Sequence, residues 1–224
     1  MFKKLIDDIN RHPKGLYVLF FTELWERFSY YGMRAILVLY IVSSKESVNP
    51  GLGWSNIEAL KFYGWYTALV YFACVPGGII SDNYLGKKKS VLYGGFLLCI
   101  GHLLLAINNN YFFFIGIFFI IFGVGMLKPN ISSLVGNLYK KNDPRRDQGF
   151  TIFYIGINLG AFFSSLIVGI IGEKYGWHLG FSIAGIGMIS GQIVYLKGQK
   201  YLPVSSLKKN NNSKNKSFSK VEKD

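Results

Sequence analysis

Glu23, Glu26, Arg27 and Arg34 interrupt a stretch that is otherwise apolar from residue 16 to residue 42. A charged side chain at the centre of a bilayer costs roughly 2.5–3.5 kcal/mol on insertion scales, so such residues mark function by default. At about 100° per residue, all four fall with Tyr30 and Tyr31 inside an arc of about 140° on one helix face. Leu24, Trp25, Phe28 and Ala35 occupy the rest. That face cannot meet lipid. It either glues helices together or lines a cavity or water-filled path. The two tyrosine hydroxyls and the second arginine have no evident in-helix partner, which favours the cavity. Glu23 and Arg27 are spaced i,i+4 and can form an ion pair within the helix. The chemistry available is proton uptake and release by carboxylates, and anion binding by guanidinium groups.

Two further segments carry polar groups into apolar surroundings. In Gly123-Val124-Gly125-Met126-Leu127-Lys128-Pro129-Asn130, a lysine precedes a proline that removes one helix hydrogen bond. Lys128 needs an anionic partner, and Glu23 or Glu26 are the candidates by chemistry. The alternative is a lysine that snorkels to water. In Phe153-Tyr154-Ile155-Gly156-Ile157-Asn158-Leu159-Gly160, Asn158 can bond either another helix or a ligand. Tyr63, Tyr66 and Tyr71 read as packing aromatics. His12, His102 and His178 have no metal spacing, and Cys74 and Cys99 lie in apolar runs, so neither a metal site nor a disulfide scaffold is expected.

The elements that must position these residues are membrane helices. Of 224 residues, 50% are hydrophobic and 17% charged, well below the roughly 25% charged of soluble domains. Six stretches are long enough to span, near residues 16–42, 57–81, 90–107, 111–138, 149–172 and 178–196. The first is too long and too charged for a cleavable signal peptide. The net charge of +13 does not point to nucleic acid, because the basic residues sit between apolar runs. Nineteen of them fall in the N-terminal tail, the second and fourth loops and the C-terminal tail. Only Lys45, Lys61 and Lys174 fall on the other side. The positive-inside rule then places both termini in the cytoplasm. The short loops leave no room for a soluble catalytic domain, so an enzyme is not expected.

The expected organisation is a cytoplasmic tail over 1–15, a six-helix bundle over 16–196 and a polar, disordered tail over 197–224. Gly78-Ile79-Ile80-Ser81-Asp82-Asn83-Tyr84 and Gly169-Ile170-Ile171-Gly172-Glu173-Lys174-Tyr175 match at four of seven positions, three spans apart. This predicts a 3+3 inverted repeat. Asp82, just before the Lys-rich start of the third span, either caps that helix, bridges to another helix end at a cytoplasmic gate, or is a plain turn residue.

Glu23-Leu24-Trp25-Glu26-Arg27-Phe28-Ser29-Tyr30-Tyr31-Gly32 resembles the E-x-x-E-R-F-x-Y-Y-G pattern of the proton-dependent oligopeptide transporters of the major facilitator superfamily. Residues Gly78 to Lys88 resemble that superfamily's motif between helices two and three, with Gly78, Asp82 and Gly86 as its gate positions. Gly123 to Asn130 and Phe153 to Gly160 resemble the family's G-x-G-x-x-K-P-N and F-Y-x-x-I-N-x-G segments. The resemblance covers roughly residues 12–200. It implies an all-α fold that is the N-terminal half of a major facilitator transporter. It implies proton-coupled di/tripeptide symport across a bacterial-type inner membrane, with protons as coupling ion and no other cofactor. Glu23, Glu26, Arg27 and Lys128 would couple protons. Arg34 and Lys128 would attract the peptide carboxylate. Tyr30, Tyr31, Tyr71 and Asn158 would line the peptide site, with Asn158 near the amino end. The family has two six-helix bundles, so a second bundle is an expected partner. A truncated, non-transporting remnant or a membrane assembly subunit is the alternative.

Overall fold

The computed structural model describes residues 12–203. Six long helices follow one another: α1 Lys14–Val42, α2 Asn56–Ile80, α3 Lys87–Leu105, α4 Asn110–Asn137, α5 Arg146–Tyr175 and α6 Trp177–Gly198. A π-helical turn, Ser81–Leu85, extends α2, and a 3-10 turn, Gln199–Tyr201, extends α6. The helices α2 to α6 are long and apolar enough to cross a membrane. α1 has the length, but its five charged residues keep it short of that apolar standard.

Helix starts follow local chemistry. Ser55 and Glu58 form a reciprocal capping box at the start of α2, and the Asn109 side chain accepts from the Tyr111 N–H at the start of α4. α3 and α6 begin after glycines held at φ 76°, ψ 151° (Gly86) and φ 119°, ψ 140° (Gly176). Positive φ with extended ψ is essentially restricted to glycine. These two glycines close the α2–α3 and α5–α6 turns, Gly86 with only Leu85 between it and the first copy of the repeated segment and Gly176 immediately after the second.

Packing follows the same symmetry. α1 lies along α5 and α6, while α4 lies along α2 and α3. The first helix of each triplet thus packs on the second and third helices of the other. The copies agree in detail. A Cβ on Gly77, one residue before the first copy, would sit 2.1 Å from the Gly125 carbonyl oxygen of α4. Val168, one residue before the second copy, packs on Gly32 of α1. Pro129 has no N–H, so that same Gly125 carbonyl loses its helical donor. α4 nevertheless runs unbroken through Pro129, and Asn130 Nδ2 donates to the next carbonyl, Met126 O, at 2.7 Å.

Asn49, in the α1–α2 loop, ties the other end. Its Nδ2 donates to Gly172 O at 2.8 Å, its Oδ1 accepts from Trp177 N at 3.2 Å, and its carbonyl accepts from Trp177 Nε1 at 3.0 Å.

Large apolar side chains such as Phe118, Phe122, Phe162, Ile186 and Ile193 are exposed around the outside. In water such a surface would drive association, whereas lipid covers it at no cost.

Two boundaries differ from the sequence expectation. α1 starts at Lys14, inside the expected tail over 1–15. The expected polar tail from 197 begins inside α6, and the chain stays ordered through Leu202, which is buried. Lys88 Nζ donates to Gln199 O at 2.6 Å and Tyr195 Oη donates to Lys88 O at 2.8 Å, holding this segment against α3. Hydropathy misses this, because a lysine's contribution to it carries no information about a carbonyl partner. The rest of both expected tails, 1–11 and 204–224, lies outside the described residues.

Candidate functional site

The polar face of α1 is turned into the bundle. Glu23, Glu26 and Arg27 are 2%, 0% and 3% exposed. Arg27 Nε lies 2.9 Å from Glu23 Oε1 and 2.5 Å from Glu26 Oε2. A single N–H cannot point along both directions, so this is an ionic contact shared by two acids rather than two aligned hydrogen bonds. Consistently, Glu23 Oε2 and Glu26 Oε1 are buried with no hydrogen-bond partner among protein atoms. With both carboxyls ionised, the triad would set two negative charges against one positive. Adjacent helix residues do not normally face each other, which is why spacing alone pairs Glu23 with Arg27 and misses Glu26. Among the described residues, no other cation lies within ion-pair distance of either acid.

Packing around the triad depends on Gly160 of α5, the glycine of the I-N-x-G segment. A Cβ there would lie 2.3 Å from Leu24 O and 3.1 Å from Arg27 Cβ. The glycine lets α5 lie directly on the turn of α1 that carries Arg27. The buried hydroxyl of Ser29 donates back to Glu26 O at 2.9 Å, so it does not compete for the carboxylates.

One to two turns further along α1, the arginines meet tyrosines. The Arg27 guanidinium lies 5.5 Å from the Tyr30 ring centre and 6.0 Å from that of Tyr31. Arg34 lies between the rings of Tyr30 and Tyr63, at 5.5 Å and 5.1 Å, and both its Nε (2.9 Å) and its Nη2 donate to Tyr63 Oη. Tyr63 is therefore a site residue that composition reads as packing. A usable signal exists: Tyr63, Thr67 and Tyr71 recur at i, i+4 and i+8 and form a polar stripe along α2.

Lys128 does not reach the acids. Among the described residues no carboxylate lies within 4.0 Å of its ammonium. It rests instead over the ring of Tyr71, 4.5 Å from the centroid. Glu23 and Glu26 remain within its electrostatic reach. Tyr71 is 58% exposed. Asn158 of α5 is also exposed, and its Nδ2 donates to Tyr154 O one turn back at 2.9 Å. It contacts none of the α1 residues through a hydrogen bond.

At the gate motif, Asp82 lies in the π-helical turn and does not cap α3. The N-cap is Gly86, which makes no side-chain cap hydrogen bond. Gly78 has no atom within 4 Å of where a Cβ would sit, so the close-approach glycine is its neighbour Gly77. A sequence motif marks the region but not which of two adjacent glycines faces the partner helix. His102 is fully buried between α3 and α6, with no metal-holding group of His, Cys, Asp or Glu among the described residues.

The chain matches the family model described as the POT family over residues 88–221. It belongs to the POT family. An uncharacterized transporter, YclF, of Bacillus subtilis (strain 168) is 50% identical over 190 residues, covering 84% of this chain and 38% of that one. A di-/tripeptide transporter of Lactococcus lactis subsp. lactis (strain IL1403) is 48% identical over 188 residues, with the same coverage. A crystal structure of a peptide transporter POT in complex with sulfate superposes with a TM-score of 0.82 at 50% identity, covering 85% of this chain and 38% of that one. The chain thus spans under two fifths of the length of these relatives, and the matched stretch is their N-terminal part. As a POT-family chain with several apolar spans, it is a multi-pass membrane protein, and its bundle is the N-terminal half of a major facilitator fold.

Proposed function

We propose that this bundle is one half of a proton-coupled symporter for di- and tripeptides, completed by a second six-helix bundle on the same or another chain. Its setting is a bacterial inner membrane, with both termini cytoplasmic. The di-/tripeptide transporter of Lactococcus supports the substrate class. The uneven count of basic residues supports the orientation.

The observation that carries the coupling is the sharing of Arg27 by Glu23 and Glu26, while Lys128 is committed to no carboxylate among the described residues. With both acids ionised, the triad is net negative and attracts Lys128. A proton on Glu26 leaves Glu23 as the single counter-ion of Arg27 and weakens that attraction. Lys128 and Arg34 then take the peptide carboxylate, while Tyr30, Tyr31, Tyr71 and Asn158 line the path, with Asn158 toward the amino end. Loss of the proton to the cytoplasm restores the second acid and weakens peptide binding. Proton and peptide thereby affect each other's affinity reciprocally. Asp82, which caps no helix, is available for a gate contact with the second bundle. Protons are the coupling ion, and no other cofactor enters the cycle.

The test is accumulation of labelled dipeptide in proteoliposomes by the assembled transporter. An inward proton gradient is expected to drive accumulation. Glu26→Gln is expected to abolish it and spare peptide exchange. Gradient-driven accumulation by Glu26→Gln at the parent level would overturn the coupling role.

A further inference from the structure

We infer that a cleft at one end of the bundle binds the oxyanion of a phosphate ester. The cleft, of about 410 Å³, lies where α3 and α5 begin and α4 ends. Its polar lining is Lys87, Ser132, Ser133, Asn137 and Arg146, with Phe150 on the apolar side. Two cations, two hydroxyls and an amide converge there, and none of the described residues lining the cleft carries a carboxylate.

Two neighbouring arginines show why this is more than a basic rim. Arg145 is fully engaged by its own acid: Nε reaches Asp143 Oδ1 at 3.0 Å and Nη2 reaches Oδ2 at 2.7 Å. Arg146 has no such acid among the described residues. It lies over the Phe150 ring, 5.8 Å from the centroid, and its Nε is sealed from solvent with no hydrogen-bond partner among protein atoms. A solvated topology-determining arginine has no reason to bury a donor in this way. Gly136 lines the cleft beside them, and a Cβ there would make ordinary contact, 3.4 Å from Arg146 Nη2 and 3.5 Å from Phe150. A planar fork of donors beside serine hydroxyls and a lysine suits a tetrahedral oxyanion, through charge-assisted hydrogen bonds. The cleft sits at the ends of three spanning helices, the depth of lipid headgroups, where basic pockets bind phosphate-bearing lipids. A soluble phosphate offers the same chemistry.

The experiment uses the full chain in a neutral detergent. Native mass spectrometry follows titration with phosphatidylglycerol and, separately, with diacylglycerol, which lacks the phosphate. Thermal melting follows titration with inorganic phosphate. The parent is expected to retain phosphatidylglycerol and not diacylglycerol. Arg146→Gln should weaken retention at least about tenfold. Ser132→Ala with Ser133→Ala should weaken it less, and Lys200→Gln, at a basic position outside the cleft, should leave it unchanged. Arg146→Lys keeps the charge and should retain part of the affinity, which separates lost binding from lost folding. If inorganic phosphate raises the melting temperature only when Arg146 is present and lipid retention is insensitive to Arg146, the site takes soluble phosphate. If neither ligand depends on Arg146, the site does not exist.

Discussion

The ammonium of Lys128 rests over the ring of Tyr71, 4.5 Å from its centroid, rather than against either of the acids that its chemistry calls for. α4 carries the lysine and α2 the tyrosine, and the glycines Gly125 and Gly77 let those two helices approach closely. The contact holds a half-buried cation without neutralising it. A cation–π contact contributes about 0.5–2 kcal/mol, less than a buried ion pair resists on being broken.

Tyr71→Ala should therefore raise the apparent KM for dipeptide several-fold, and Tyr71→Phe, which keeps the ring, should leave it near the parent. Lys128→Ala should damage both binding and proton-driven accumulation. Uptake by proteoliposomes at varied dipeptide concentration checks both. Equal defects in Tyr71→Phe and Tyr71→Ala would show that the hydroxyl, not the ring face, matters.

The turn glycines give a stability prediction independent of transport. Gly86→Ala forces a Cβ into positive φ with extended ψ and should cost about 1–3 kcal/mol. Gly77→Ala drives a methyl onto the Gly125 carbonyl and should cost a similar amount through overpacking. Gly78→Ala meets open space and should leave the melting temperature of the purified chain almost unchanged. A larger loss in Gly78→Ala than in Gly77→Ala would mean that the α2–α4 contact is misassigned.

The α4–α5 turn should loosen in acid. Hydrogen bonds from the Arg145 side chain and backbone hold the Asp143 carboxyl down to about 2, from an ordinary value of 3.8. A depressed carboxylate stabilises the fold above its unfolded value, and that contribution is lost as pH falls from about 4 toward about 2. Protection factors against hydrogen exchange over residues 140–146 should fall across that window in the parent. In Asp143→Asn the same segment should exchange faster at neutral pH and show no such acid step.

Topology is checked by reporter fusions at Lys3 and Lys209. Both should report a cytoplasmic position, because nineteen basic residues lie on that side of the expected spans against three. An external signal from either would overturn the six-span topology.

The sequence by itself determined the number and approximate limits of the helices, because a membrane span is a local property of hydropathy and length. It also determined that one face of α1 must be buried, because charges at 3.6-residue spacing cannot face lipid, and it announced the repeat through two short matching segments. The tertiary structure decided the pairings. It assigned Arg27 to two acids instead of one, Arg34 to Tyr63, Lys128 to Tyr71, and the close approach of α2 and α4 to Gly77. It also carried the ordered chain past residue 197, through a carbonyl that Lys88 reaches from another helix. Each of these depends on the distance and rotation between helices far apart in the chain. In lipid, van der Waals fit and individual polar contacts set those quantities, with no hydrophobic force between helices, and neither leaves a periodic trace in the sequence of one helix.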